Sequence, residues 1–151
     1  MVDMTIRNAR ETDAAVIVEF NQGIASETEN LTLPDAVIRA GVENVLQDRT
    51  RGVYYVACDG DQVVGQLMVT LEWSDWRNGW IWWIQSVYVK ADYRKQGVFR
   101  ALYAHVKNLA TEDPSVCGLR LYVEQNNTRA QQTYLSLGMD RTHYLVMEEI
   151  F

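Results

Sequence analysis

Arg94, Lys95 and Arg100 bracket Gly97 in the run Arg94-Lys95-Gln96-Gly97-Val98-Phe99-Arg100, and the chemistry open to such a run is anion binding. A β-branched and aromatic stretch, Ile81 to Val89, precedes it. Apolar residues then recur at Val98, Ala101, Leu102, Val106 and Leu109, with His105 on the same face. A strand is therefore expected to pass through a short basic loop into a helix. A helix start presents backbone N–H groups ahead of the intrahelical ladder and carries about half a positive charge. Gly97 lets the backbone approach a ligand closely, and the three cations neutralise one. A phosphate or pyrophosphate fits there.

The elements around this join follow from the same pattern. Residues 4–9 read as a strand, and Thr12 or Asp13 can cap a helix carrying Ala14, Ile17, Val18 and Ile24. Pro34 opens a second helix through Asp48, in a position where its missing N–H costs nothing. Val53–Cys58 and Gln62–Trp73 are strand-like runs joined at Asp59-Gly60-Asp61, a strong hairpin signal, and Ser74–Gly79 makes the next turn. The strand Trp80–Val89, the helix from Gly97 to about Glu112 and a strand Leu119–Glu124 form a β-α-β unit with parallel strands. Thr128 and Gln131 stand at capping-box spacing before a last helix, Gly138 ends it, and Thr142–Ile150 reads as a closing strand.

With 151 residues, 48% of them apolar, the chain suits one domain spanning 1–151. Its net charge of −6 makes nucleic acid an unfavourable partner; an acidic surface attracts cationic amines weakly, but the favoured reading is that it keeps the chain in solution. Cys58 and Cys117 lie in apolar strand-like runs without CxxC spacing, so two buried free thiols in a reducing, cytoplasmic compartment are expected. The N-terminal residues lack the apolar core of a leader, and no run approaches the ~20 apolar residues that span a bilayer. His105 and His143 have no metal-ligand spacing, so no metal is expected. Trp73, Trp76, Trp80, Trp82 and Trp83 fall in one segment, with Trp82 and Trp83 on opposite faces of a strand. Packing or a contact between two chains is the favoured reading for them over recognition of a substrate.

This order of elements, with its basic strand-to-helix loop, resembles the GNAT superfamily of acetyl-CoA-dependent N-acetyltransferases, and the likeness spans nearly the whole chain. Arg94 and Gly97 occupy the first two fixed positions of that family's pyrophosphate loop, while Phe99 stands where a small residue is usual. Asn127, Ala130, Tyr134 and Gly138 match a second pattern, N-x-x-A-x-x-x-Y-x-x-x-G, with Met139 in place of the usual Phe. The resemblance implies a mixed, largely antiparallel sheet of about seven strands with a central parallel pair, flanked by about four helices. It also implies acetyl-CoA as cosubstrate, a small-molecule or peptide amine as acceptor, and a homodimer as the default assembly.

By position, the resemblance assigns the pantetheine arm to the backbone of Val87, Tyr88 and Val89 and the diphosphate to Arg94, Lys95, Gln96, Gly97, Val98, Phe99 and Arg100. Tyr134 becomes the general acid toward the departing thiolate, though its face, shared with Ala130 and Leu137, suits a packed tyrosine as well. Asn127 either contacts the cofactor arm or caps its helix. The family's basic carboxylate falls at Gln85, whose carboxamide cannot take a proton but can orient a water. Glu124 and Glu72 are other candidate bases, each read more readily as a surface carboxylate than as a base. The alternative reading is a noncatalytic acyl-CoA-binding or regulatory module, motivated by Gln85 and Phe99.

Overall fold

A computed structural model describes residues 3–151. The strands are β1 (Met4–Asn8), β2 (Val53–Asp59), β3 (Gln62–Ser74), β4 (Gly79–Val89) and β5 (Val116–Arg120). The helices are α1 (Ala14–Glu29), α2 (Asp35–Gln47), α3 (Val98–Glu112) and α4 (Thr128–Ser136). The class is the expected mixed α/β one. Among the described residues the sheet has five strands rather than seven, in the order β1-β2-β3-β4-β5, and its parallel pair, β4 with β5, ends that order instead of lying at the centre. The chain divides into two compact units, the first ending at Arg120 and the second being Leu121–Phe151.

Within the first unit, period-two alternation sorts the helices onto the two faces of the sheet. On β3, Gln66 meets Asn21 of α1, while the neighbouring Gly65 lies under Val98 and Leu102 of α3. On β2, Tyr54 meets Asn21 and Tyr55 packs edge-on against His105 of α3. One core is built from Ile17, Val18, Val42 and Tyr54, with Met68 against it. Beneath the other face Val98, Leu102 and Val106 are buried, each such side chain contributing about 1.5–3 kcal/mol. Burial of Val98 fixes the first turn of α3 against the sheet.

Four expectations need correction. The strand expected over Leu119–Glu124 runs instead from Val116 to Arg120. Asp113 accepts from the Ser115 amide and hydroxyl and turns the chain, and Trp80 N–H already bonds the Ser115 carbonyl, so pairing with β4 begins earlier. Thr142–Ile150 carries no strand, because an apolar run such as Tyr144–Met147 becomes one only where a ladder is formed. Cys58 is buried but Cys117, on the end strand β5, is exposed. Asp13 stands at the N-cap of α1 without a side-chain capping bond; its carboxylate takes Arg7 at 2.8 Å and the Arg10 amide at 2.7 Å. The remaining boundaries fall close to those expected, with Pro34 at the N-cap of α2.

A Cβ on Gly65 would stand 2.9 Å from Val98 Cγ1 and 3.3 Å from the Tyr88 carbonyl. Val98 is buried and stiff, so Gly65→Ala is expected to destabilise the fold by about 1–3 kcal/mol, read as a lower urea midpoint with unchanged slope.

Candidate active site

The site begins with an irregularity in β4. Gln85 pairs with Met68 and Tyr88 with Gln66, so Ser86 and Val87 together face the single residue Leu67, and Ser86 has a φ of 52°. This is a β-bulge. Gln66, wholly buried, donates to the Ser86 carbonyl at 3.0 Å and to Asn21 at 3.3 Å, and Asn21 donates to the Tyr54 hydroxyl at 3.1 Å. The bulge is therefore pinned by polar side chains from three other elements. Neither Gln66 nor Asn21 was singled out in the sequence, although a glutamine inside the apolar run Val63–Val69 was a visible signal.

Beyond the bulge β4 is paired on one side only. β5 runs beside Trp80–Trp83 and no further, leaving the second edge from Ile84 to Val89 without a strand among the described residues. Lys90 N–H bonds the Val64 carbonyl on β3, so by alternation Tyr88 turns its backbone toward β3 and Val89 turns its own outward. The outward Val89 carbonyl accepts from Arg94 Nε at 2.9 Å. Of the three residues expected to contact pantetheine through the backbone, Tyr88 instead presents a side chain. Its ring stacks on Phe20 at 5.1 Å and its hydroxyl donates to Glu27 at 2.7 Å.

Arg94 closes this group. Its guanidinium pairs with Glu27 at 2.8 Å and lies 5.3 Å from the Tyr88 ring centroid. The bond from the Tyr88 hydroxyl, chiefly, holds the Glu27 carboxyl below its ordinary range; burial opposes it, and Arg94 adds to the lowering. Burial first, and Glu27 second, push the Tyr88 phenol up. The proton stays on the tyrosine. Glu27 is thus the counter-charge of the principal loop arginine.

After β4 a 3-10 turn, Ala91–Tyr93, is tied to the β2–β3 hairpin by Tyr93 donating to Asp59 at 2.8 Å. Gln96 donates back to the Asp92 carbonyl at 2.8 Å. Lys95 (φ 63°) and Gly97 (φ 80°) both occupy the left-handed region, alternating with Gln96. Such alternation curls successive amides toward one side. The first bond of α3 runs from Ala101 N–H to the Gly97 carbonyl, so the amides of Val98, Phe99 and Arg100 precede the ladder. A Cβ built on Gly97 meets nothing within 4 Å, so the space beside the cradle is open. The Phe99 ring lies 6.1 Å from Tyr103, one turn along the same helix. This geometry fits a diphosphate on the loop and an extended arm along β4.

Three acid–base candidates are engaged locally. Gln85 donates to Thr70 at 2.6 Å. Glu72 accepts from Trp83 Nε1 at 2.7 Å and from Arg120 at 3.4 Å. In the second unit Glu124 accepts the Asn126 amide at 2.8 Å, and Asn127 caps α4 by accepting from the Ala130 amide at 3.1 Å. Gln131 donates to the Glu124 and Gln125 carbonyls instead of closing a capping box with Thr128. Tyr134 is partly buried, which pushes its phenol above 10.0. The described residues contain no group of three His, Cys, Asp or Glu placed to hold a metal, and no helix long and apolar enough to cross a membrane.

Comparison with known proteins agrees with this geometry. The acetyltransferase (GNAT) family matches residues 21–139, and the chain belongs to that family. A possible acetyltransferase from Clostridium difficile 630 is 43% identical, with a TM-score of 0.92 over 100% of this chain and 99% of that one. A transcriptional regulator from Bacillus halodurans C-125 shares the fold at 24% identity and a TM-score of 0.81, over 98% of this chain and 100% of that one. An aminoglycoside acetyltransferase from an uncultured soil metagenomic sample shares it at 16% identity and 0.77, over 98% and 95%. No curated protein matches the chain. The family's chemistry is acetyl transfer from acetyl-CoA.

Glu27 and Arg94 are each about half exposed, so Glu27→Gln is expected to change stability by less than about 1 kcal/mol. Removing that negative charge beside the loop is expected to strengthen binding of inorganic pyrophosphate roughly 3-fold at low salt, measured by calorimetry.

Proposed function

We propose that this chain transfers the acetyl group of acetyl-CoA directly to a primary amine of a small molecule or peptide. One observation carries the reading: a strand bulged at Ser86 and uncovered on one side runs straight into a glycine-capped, cationic helix start, in a chain of the GNAT family. The outward backbone of Val87 and Val89 receives the arm as an added strand would. The amides of Val98, Phe99 and Arg100 receive the diphosphate. Acetyl-CoA supplies the activated acyl group, and the protein's part is to hold it and manage protons.

An alkylammonium, with a pKa near 10.4, has no lone pair, so the acceptor must lose a proton before it attacks. Gln85 is not a base. Its amide nitrogen is engaged by Thr70, so its carbonyl oxygen is what it turns to an amine or a water, fixing direction without taking the proton. Glu72 shares its charge with Arg120 and Glu124 is engaged in a turn, which leaves water as the proton acceptor, relayed past Gln85. Tyr134 stays protonated at neutral pH and donates to the leaving thiolate. The bond to sulfur breaks as the amide bond forms, and the second proton leaves the acceptor nitrogen through water, which restores the proton that Tyr134 gave to sulfur.

Tyr134→Phe is expected to lower kcat ~100-fold while leaving the affinity for acetyl-CoA nearly unchanged, with turnover followed by free-thiol release across a panel of amines. A wild-type protein that binds acetyl-CoA by calorimetry yet releases no thiol with any amine would establish the noncatalytic binding module instead. Gly97→Ala forces a side chain into the left-handed region. It is expected to weaken CoA binding at least ~10-fold and to cost about 1 kcal/mol of stability.

A further inference from the structure

Arg120 is the last residue of β5, and its pairing with Trp83 is the last rung before β4 runs on past its parallel partner from Ile84. It stands where the site begins. The registers set Thr70 of β3, Trp83 of β4 and Arg120 of β5 side by side across three strands, with Gln85 two residues further along β4 on the same face of the sheet. Glu72 shares that face by its own alternation with Thr70.

The bonds within this group separate the fixed side chains from the loosely tied one. Gln85 donates to Thr70 at 2.6 Å, and Trp83 Nε1 donates to Glu72 Oε1 at 2.7 Å. Both are short. Arg120 reaches across β4 to Glu72 Oε2 through Nη1 at 3.4 Å, well beyond the ~2.7–2.9 Å of a strong charge-assisted bond. The tryptophan therefore holds the Glu72 carboxylate more tightly than the arginine does. Among the described residues no protein group bonds the Nε and Nη2 edge of the Arg120 guanidinium. That edge offers two parallel N–H groups, the arrangement that takes a carboxylate in bidentate fashion.

We propose that the acceptor carries a carboxylate as well as its primary amine, as a free amino acid or short peptide does. Its carboxylate is received by the Nε and Nη2 edge of Arg120 while its amine faces the Gln85 carbonyl oxygen. The inference rests on the amine-transfer reading above and names the acceptor class within it. Two residues along a strand and one strand spacing put the α-carbons of Gln85 and Arg120 about 8 Å apart, which a small acceptor bonded at both ends can span. Glu72, pinned by Trp83, anchors one corner of the guanidinium and leaves the other edge to the ligand. A net charge of −6 opposes an anionic group at long range, so this recognition is local. A polyamine or an amino sugar has no group for that edge.

The test compares acceptors with and without the carboxylate. Glycine, β-alanine, L-lysine and glycylglycine are each set against their carboxamides, with spermidine and glucosamine as amines lacking the group, and thiol release from acetyl-CoA is followed. The preferred acid is expected to exceed its carboxamide in kcat/KM by about 10–100-fold, mostly through KM. Arg120→Gln is expected to bring that ratio near 1, and Arg120→Lys, which keeps the charge without the fork, to recover only part of it. A ratio measured within one variant is insensitive to a general loss of folded protein. Equal use of acids and carboxamides by the wild type, a preference for spermidine or glucosamine, or an unchanged ratio in Arg120→Gln overturns the proposal. If no amine releases thiol, the transfer reading fails and calorimetry on the CoA-loaded protein decides the carboxylate site by itself. Binding of an acid by the wild type that is lost in Arg120→Gln upholds the site; no binding, or binding indifferent to the substitution, overturns it.

Discussion

A strand paired along one side only must find other partners for its second row of amides and carbonyls, and β4 is such a strand from Ile84 onward. The rest of the site is arranged around that unfinished edge. β5 departs after Trp83, the bulge at Ser86 re-aims the backbone, and Gln66 and Asn21 fix the bulge from beneath. The loop that follows is equally constrained, with Tyr93 held by Asp59 and two left-handed residues on either side of Gln96. An extended ligand meets a preformed surface, so little ordering is left to oppose its binding.

Electrostatics is arranged within the same few ångströms. The loop is basic in a chain whose net charge is −6, and its foremost arginine is shared between Glu27, the Val89 carbonyl and the Tyr88 ring. Such a cluster keeps a cation oriented while tempering its field. An anion arriving at the loop competes with a half-exposed carboxylate rather than with bulk water alone, which tunes affinity without altering the cradle's shape.

What could be read from the sequence was whatever depends on near neighbours. The strand-loop-helix join is written in consecutive residues: β-branched and aromatic positions, then cations, then Gly97 and an apolar helical period. Phe99 was a visible departure, and its ring lies along α3 toward Tyr103, where helical spacing places it. Long-range partners were not legible. Glu27 and Tyr88 stand 61 positions apart, and Gln66 reaches Asn21 across 45, so no local pattern joins them. The strand over Leu119–Glu124 was misplaced because the alternation of Leu119, Leu121 and Val123 is locally sound, while register is set by the Asp113 turn and by β4. The segment Thr142–Ile150 failed for a related reason: the apolar run Tyr144–Met147 suits a strand locally but does not specify the edge that pairs with it.

The tryptophans lend the molecule a built-in reporter. All five lie within residues 73–83, at the end of the β3–β4 hairpin remote from the basic loop. Trp73 and Trp80 meet edge-on at 5.0 Å across the strand pair, whereas Trp76 is almost fully in water. Ultraviolet emission therefore senses the opening of one hairpin tip and is blind to the helices, which circular dichroism follows. Divergence between the two signals during denaturation would reveal that tip loosening ahead of, or after, the remainder of the sheet.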